Sequence, residues 1–264
     1  MPRRRLDAEL VHRGLARSRE QAQDLVGAGR VVLGGVVATK PATQVDAQAS
    51  IAVRDNPDGP DYVSRGAHKL VGALDAFGID VRGRHALDAG ASTGGFTDVL
   101  LRRGVAAVLA VDVGYGQLAW SIRSDERVTV LERTNVRDLT VDRLPFRPDL
   151  VVGDLSFISL ALVLPALASV ATDDADLVLM VKPQFEVGRE LVGAGGVVRD
   201  PALRSAAVRR IAAAALDLGL GTAGVVASPL PGPSGNVDYF LHLRRGAEPL
   251  DDSALARAIE EGPQ

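Results

Sequence analysis

The 264 residues include no cysteine. That excludes structural disulfides, thiolate zinc sites, iron–sulfur clusters and every mechanism built on a cysteine nucleophile. The four histidines, His12, His68, His85 and His242, show no metal-ligand spacing, so no metal is expected. No apolar run approaches the roughly 18 residues that a membrane-spanning helix needs; Leu160–Ala171 is among the longest and is interrupted by Pro165. The start, Met1-Pro-Arg-Arg-Arg5, leads into acidic residues without an apolar stretch and does not read as a signal peptide. Internal repeats and low-complexity tracts are also missing. These absences point to a soluble, cytoplasmic chain with no membrane partner.

What is present is globular. Apolar residues make up 47% and charged residues 24%, ordinary values for a folded protein. The length corresponds to about two domains. Net charge is −3, yet it is unevenly spread. Residues 1–40 hold eight Arg/Lys against four Asp/Glu, and the rest of the chain is net acidic. A basic head on an acidic body reads either as a polyanion-binding element or as a solvated helical surface.

Leu6, Leu10 and Val11 recur at helical spacing and Gly14 ends that run. Ser18 followed by Gln21 is a capping box that opens a second helix, and Gly29 is suited to a left-handed stop. Val31–Leu33, Gly34-Gly35 and Val36–Ala38 read as a hairpin, with a third strand over 50–54. Arg13, Arg17, Arg19 and Arg30 lie near the joints of this helix pair, behind Arg3, Arg4 and Arg5. The run from Arg5-Leu6-Asp7 through Gly14-Leu15 and Ser18-Arg19 to the Gly29–Gly35 hairpin resembles an S4 domain, a small RNA-binding module. Guanidiniums at helix ends fit that role by contacting phosphates and sensing shape. The turn-rich Asp55–Pro60 marks a linker over about 55–63, which divides a domain of residues 1–59 from one of 64–264.

Beyond the linker, strands expected at 85–89, 106–112, 128–131, 149–153, 176–181, 222–227 and 237–243 alternate with helical patterns near 66–77, 95–103, 115–123, 157–170 and 201–218. A short helix is expected at 252–261. This alternation predicts a mostly parallel sheet with helices on both faces. Within it, His85–Phe96 runs strand, glycine turn, helix. Asp88, Gly90, Ser92, Thr93, Gly94, Gly95 and Phe96 are its notable residues. The glycines let backbone approach a ligand, and the helix start offers free N–H groups to an anion. The dinucleotide spacing and the phosphate-loop lysine are both absent. An acid at Asp88 suits a ligand with an ammonium and a carboxylate, as in S-adenosylmethionine. Asp112, ending the next strand, is placed for ribose hydroxyls, and Asn135 for an adenine contact. The bland alternative is a tight turn with a structural acid.

Asp154 and Lys182 end apolar strands at the side of the sheet where ligands bind. A lysine there is either functional or snorkels at the rim. The Pro-Pro-aromatic loop usual for exocyclic amine methylation is replaced by Asp154-Leu-Ser-Phe157, and carbon-5 methylation lacks its cysteine. A hydroxyl acceptor remains, a weak acid that benefits from a placed base. Neighbouring lysines disfavour each other's charged form, while adjacent carboxylates oppose this and fix geometry.

The body resembles the FtsJ-type ribose 2′-O-methyltransferases. With the S4-like head it resembles the TlyA family of rRNA methyltransferases. The matching runs are SRGAHKL at 64–70, LDAGASTGGFTDVLL at 87–101, VDVGYGQL at 111–118, DLSFISL at 154–160, VKPQFEVG at 181–188 and SPLPGPSGNVDYF at 228–240. The resemblance implies a Rossmann-like class I methyltransferase domain, S-adenosylmethionine as cofactor, and a tetrad on Lys69, Asp154, Lys182 and Asp238. Asp238 stands where the family carries glutamate, one methylene shorter. It implies in-line transfer to a cytidine ribose of 23S rRNA, with Lys182 taking or withdrawing the hydroxyl proton. The basic Met1–Arg5 extension resembles the longer branch that also acts on 16S rRNA. A monomer acting on rRNA in ribosomal subunits is expected, with Arg65 added to the RNA-contacting arginines. Pro60-Asp-Tyr-Val63 departs from the Arg and Trp of longer members. Phe157 reads as core or as a stacking partner for a flipped base, Gly193–Gly196 as a lid or a plain loop, and Pro229, Pro231 and Pro233 as stiffeners of the approach to Asp238. Tyr115 and Trp120 read as packing residues. Competing functions are a non-catalytic ribosome-binding factor, a membrane-active hemolysin and a base methyltransferase.

Overall fold

Short apolar stripes and paired glycines organise the N-terminal region. The computed structural model describes residues 3–16, 18–54, 62–232 and 234–263. The chain divides into two compact units, Met1–Asp61 and Tyr62–Gln264. In the first unit β1 (Arg4–Arg5), α1 (Leu6–His12), α2 (Arg19–Gly27), β2 (Val31–Leu33), β3 (Val36–Val37), β4 (Gln44–Val45) and β5 (Ile51–Val53) follow in order. Leu6 and Leu10 of α1 pack with Ala22, Leu25 and Val26 of α2 over Val31. The Ser18 hydroxyl accepts from the Gln21 N–H at 3.1 Å, so the helix start expected there is present. Gly34 and Gly35, at φ +57° and +88°, make the hairpin turn between β2 and β3. Strand β5 completes a three-stranded sheet against β2. The antiparallel pair β1–β4 was not anticipated, since two residues are too few to show alternation.

In the second unit α3 (Gly66–Phe77), β6 (His85–Ala89), α4 (Gly95–Arg102), β7 (Ala107–Val111), α5 (Trp120–Arg123), β8 (Val128–Leu131), β9 (Leu150–Gly153), α6 (Leu164–Val170), β10 (Asp176–Val181), α7 (Pro183–Glu186), α8 (Pro201–Leu216), β11 (Leu220–Ala227), β12 (Tyr239–Arg245) and α9 (Asp252–Glu261) alternate. The strands form one seven-stranded sheet in the order β11-β12-β10-β9-β6-β7-β8. Strands β8, β7, β6, β9 and β10 are parallel; β12 runs antiparallel to both of its neighbours, β10 and β11.

Period-two alternation sorts the strand side chains to two faces. Leu87, Leu109, Val151 and Leu179 pack under α6, α8 and α9. Ala86, Val108, Val152 and Met180 pack under α3 and α4. Strand order reverses between β6 and β9, so a crevice opens at their carboxyl ends. Two helical readings contract. The 115–123 pattern keeps only α5, because Gly116 takes a left-handed φ of +70°. The 157–170 pattern starts late: Phe157 is left-handed at φ +64°, a 3-10 turn covers Leu160–Leu162, and α6 begins with Pro165 in its first turn.

Candidate active site

At the end of β6 the backbone must turn beneath β9. Gly90 does this at φ +85°, and a Cβ there would lie 2.8 Å from the Asp154 carbonyl oxygen. Gly94, at φ +97°, caps α4, where a Cβ would lie 2.9 Å from Leu118 Cδ1. Asp88 is fully buried beside this turn. Its Oδ2 accepts from Thr97 Oγ1 at 2.7 Å, while its Oδ1 is buried with no hydrogen-bond partner. Burial pushes its carboxyl up to about 7, against the pull of the Thr97 hydroxyl.

Asp112 follows β7 and accepts from the backbone N–H of Ser92 at 2.8 Å and of Gly114 at 2.6 Å. The Ala119 N–H donates to the Thr93 carbonyl at 3.1 Å, closing the far side of the loop. A small cleft here is lined by Ser92, Asp112, Gly114, Gln117 and Glu132. Asn135 sits at the same rim, because the Thr134 N–H donates to the Asp112 carbonyl at 3.0 Å. Its Oδ1 accepts from the Arg137 N–H at 3.1 Å. Asp88, Gly90, Ser92, Thr93, Gly94, Gly95, Asp112 and Asn135 are thus gathered at the carboxyl ends of β6, β7 and β8. Phe96 is turned away: it is 4% exposed and packs against Phe240, supporting the loop from beneath.

A second cluster forms where α3, β9, β10 and β12 meet. Lys69 of α3 is buried, with its Nζ 2.6 Å from Asp238 Oδ2 and 4.0 Å from Met180 Sδ. Lys182 follows β10, and its Nζ lies 2.5 Å from Asp154 Oδ1 and donates to Ser156 Oγ at 2.8 Å. Val181 pairs with Tyr239 across the β10–β12 ladder, so the register carries Asp238 alongside Lys182. Burial raises the Asp238 carboxyl, Lys69 and Lys182 oppose that rise, and Asp154 adds to it. Lys69, Lys182 and Asp154 therefore all lie within electrostatic reach of Asp238. The side chain of Asp238 is shorter than glutamate by a methylene, yet it meets Lys69 directly.

Several residues of this region were not anticipated. Ser156 and Thr97 lie inside motif runs read for their glycines and charges, and hydroxyl partners leave no periodic trace. Glu186 is buried, and nothing in the run Val181–Gly188 singles it out. Asn236 Nδ2 donates to the Gly196 carbonyl at 2.8 Å and its Oδ1 accepts from the Val198 N–H at 2.9 Å, so the glycine-rich segment is held down beside Asp238. Phe157 is not core: it is 91% exposed, with its ring centroid 5.2 Å from that of Phe185. Tyr115 and Trp120 are likewise exposed rather than packed, because the glycines around Tyr115 keep it on a surface turn. Pro229 packs on α3, where a Cβ at Gly72 would lie 2.8 Å from its Cγ. Pro233 lies outside the described residues.

The arginines of the first unit divide into two groups around the buried carboxylates Asp7 and Glu9. Arg3, Arg4, Arg5 and Arg19 are exposed. Arg4 meets Glu9 at 3.1 Å, and Arg5 and Arg19 meet Asp7 at 2.8 and 3.2 Å. The Arg5 guanidinium holds the Asp7 carboxyl well below the usual carboxylate range, with Gln23 and Arg19 adding to the effect and burial opposing it. Arg13 and Arg30 are half-buried and bond main-chain carbonyls of the unit. Arg13 bonds Glu9 at 2.8 Å and the Ala49 carbonyl at 2.7 Å, and Arg30 bonds the Arg54 carbonyl at 3.0 Å. Arg65, immediately before α3, is exposed. Arg17 lies outside the described residues. Among the described residues no cluster of His, Asp and Glu could hold a metal, and no helix is long and apolar enough to cross a membrane.

Residues 62–245 match the FtsJ-like methyltransferase model and residues 4–51 match the S4 domain. The chain is 62% identical to the 16S/23S rRNA (cytidine-2′-O)-methyltransferase TlyA of Mycobacterium tuberculosis, over 99% of each chain. It is 37% identical to Hemolysin A of Brachyspira hyodysenteriae, over 90% of this chain and 99% of that one. A solved structure of a candidate hemolysin from Streptococcus thermophilus superposes with a TM-score of 0.76 at 38% identity, covering 99% of this chain and 97% of that one. The chain belongs to the FtsJ-like methyltransferases, in the S4-bearing TlyA family of rRNA methyltransferases.

Proposed function

We propose that the protein methylates the 2′-hydroxyl of a cytidine ribose in 23S rRNA, and of another in 16S rRNA, using S-adenosylmethionine. The observation that carries this reading is the convergence of Lys69–Asp238 and Lys182–Asp154 beside the glycine turn. The residues around that turn fit the cofactor. The unpartnered, buried Asp88 Oδ1 suits its ammonium, and the turn through Gly90, Ser92, Thr93, Gly94 and Gly95 leads into the start of α4, beside which its carboxylate would lie. Asp112 and Asn135 would hold its ribose and adenine. When bound, S-adenosylmethionine supplies an electrophilic methyl group on a sulfonium.

The chain's own residues do the rest. Lys182 Nζ takes or withdraws the proton of the attacking hydroxyl. Asp154 at 2.5 Å and Ser156 at 2.8 Å fix the direction of that amine. Asp238 holds Lys69 at 2.6 Å behind it. The exposed ring of Phe157 offers a face to a base turned out of its helix, and base–aromatic stacking is worth about 1–3 kcal/mol. Arg3, Arg4, Arg5 and Arg19 give the S4 unit an outward-facing set of guanidiniums for phosphates, with Arg65 on the methyltransferase unit. Arg13 and Arg30 shape that surface from within. Because its substrate is ribosomal RNA, the enzyme is expected to act in the cytoplasm, and it is expected to act as a monomer.

Asp88 makes cofactor binding depend on pH. Its carboxyl, pushed up to about 7, is protonated below neutrality in the free protein, and an ammonium ligand prefers the ionised form. Affinity for S-adenosylmethionine is expected to rise as pH climbs from about 5.5 through about 7 and to fall again above about 8, where the cofactor's own α-ammonium loses its proton. The same shift makes this group destabilising in the free protein as pH rises from about 4 to 7, so the thermal shift caused by the cofactor is larger at about pH 8 than at about pH 5.5. Isothermal titration across that range is the check; a flat profile would remove Asp88 from the ammonium site.

The activity itself is tested by transferring labelled methyl groups to separated small and large subunits, digesting the RNA to nucleosides, and mapping reverse-transcription stops. Label in 2′-O-methylcytidine from both subunits is expected. Label on a base, or none, overturns the reading. The hemolysin name of two relatives favours a second one, and dye leakage from vesicles on adding the purified protein would support it. A non-catalytic ribosome-binding factor would bind the subunits and transfer nothing.

A further inference from the structure

Glu186 is a buried carboxylate outside the set Lys69, Asp154, Lys182 and Asp238, and it faces no cation at salt-bridge distance among the described residues. It ends α7, the single helical turn that starts immediately after Lys182. Its Oε2 accepts from Ser159 Oγ at 2.6 Å, and its Oε1 accepts from the Leu160 N–H at 2.8 Å. Both donors belong to the loop that follows β9. From behind, Arg210 of α8 donates to the Glu186 carbonyl at 2.6 Å, and the Phe185 N–H donates to the Lys182 carbonyl at 2.9 Å. The turn is therefore rigid at both ends.

The β9 loop needs such an anchor. It carries Asp154 and Ser156 toward Lys182, then passes through Phe157 in the left-handed region at φ +64°, a conformation that bulky residues keep only when their surroundings impose it. The exposed Phe157 ring contributes no burial that would hold it there. The head of the loop is fixed by the Asp154 N–H on the Ala89 carbonyl at 3.1 Å and by the ion pair with Lys182. Its tail is fixed by the Glu186 carboxylate. The contacts make a closed ring: β9, its loop, Glu186, α7, Lys182, Asp154 and back to β9. Opening the ring at Glu186 leaves the tail of the loop, beyond Ser156, without its bonds to α7.

We propose that Glu186 is a positioning residue, which by holding Ser159 and Leu160 aims Asp154, Ser156 and Phe157 at Lys182 and at the substrate ribose. This rests on the reaction proposed above. Methyl transfer to isolated subunits would be measured at saturating S-adenosylmethionine for the wild type, Glu186→Ala, Glu186→Gln and Ser159→Ala, together with cofactor affinity. The amide of glutamine keeps the acceptor for Leu160 and gives Ser159 a donor instead of an acceptor, so it preserves the ring.

Glu186→Ala is expected to lower kcat at least tenfold, because small misplacement of reacting groups is costly. Cofactor affinity should stay within about twofold, and Glu186→Gln should restore kcat to within about threefold. Should Glu186→Ala fail to fold, Ser159→Ala, which loses the bond to Glu186 and the cap on the Ala161 N–H but keeps the Leu160 bond, carries the test with an expected severalfold fall in kcat and a melting temperature lowered by only a few degrees. Wild-type kcat in Ser159→Ala and in Glu186→Ala, or a Glu186→Gln enzyme as impaired as the alanine variant, would overturn the proposal. So would losses of activity matched by equal losses of cofactor binding. Label is counted here whatever atom accepts it, whereas nucleoside analysis of the wild-type product tests the ribose assignment, so the two ideas fail separately.

Discussion

Replacing Lys182 with alanine is expected to lower methyl transfer by about 10²–10⁴-fold, the usual contribution of a placed acid–base group, while leaving affinity for S-adenosylmethionine within about twofold. The separation follows from the geometry. Lys182 contacts Asp154 and Ser156, whereas the glycine turn is organised by Asp88, Thr97 and Asp112. Removing the amine leaves Asp154 27% exposed to water before any relaxation, so no charge is stranded in the interior. Lys182→Arg sharpens the result. A guanidinium keeps the charge and can pair with Asp154, but it does not give up its proton at accessible pH. A rate restored by arginine would assign Lys182 a purely electrostatic role. An unimpaired alanine variant would move the chemistry elsewhere. Single-turnover methyl transfer and calorimetric cofactor binding make the two measurements.

Asp238→Ala is expected to act on stability as much as on rate. Lys69 and Asp238 are 10% and 1% exposed at their side chains and lie 2.6 Å apart. Deleting one member leaves the other charge buried and unpaired, which costs about 3–5 kcal/mol. For a unit of about 200 residues that lowers Tm by about 6–20 °C. Removing both charges with shape-matched apolar residues, Lys69→Met with Asp238→Leu, should recover much of the stability and none of the activity. Asp238→Glu, the residue that the family resemblance implies at this place, keeps the charge and should stay close to wild type in Tm. A single Asp238→Ala variant that melts with the wild type would mean that Lys69 finds water or another partner.

Much of this architecture could be read from residue order, for reasons that differ by element. Buried parallel strands are continuous apolar runs, and Leu177–Val181 or Leu150–Gly153 can hardly be anything else. The glycine turn announced itself because only glycine tolerates the φ of +85° at residue 90 and the 2.8 Å approach to the Asp154 carbonyl. Asp154 and Lys182 were legible as polar residues closing apolar strands, and Lys69 and Asp238 only through family resemblance, because no local pattern connects α3 with the start of β12. What escaped notice has a common cause. Ser156, Thr97, Glu186 and Asn236 act through single hydrogen bonds to groups far along the chain, and a hydroxyl or amide in a loop looks the same whether it faces water or a partner. Phe157 stayed open between core and stacking for a different reason: an aromatic after an apolar strand has the composition of core, and only its left-handed backbone turns it outward.

The antiparallel strand has a consequence for biosynthesis. β12 is the last strand to leave the ribosome, yet it occupies an interior place in the sheet, between β10 and the earlier-made β11. Until it arrives, one edge of β10 stands open and Lys69 has no counter-charge. An unfinished or C-terminally clipped copy would keep its glycine turn and lose the arrangement at the other end of the crevice. Arrival of β12 thus doubles as a licensing step: before it, Lys69 and Lys182 have no Asp238 between them.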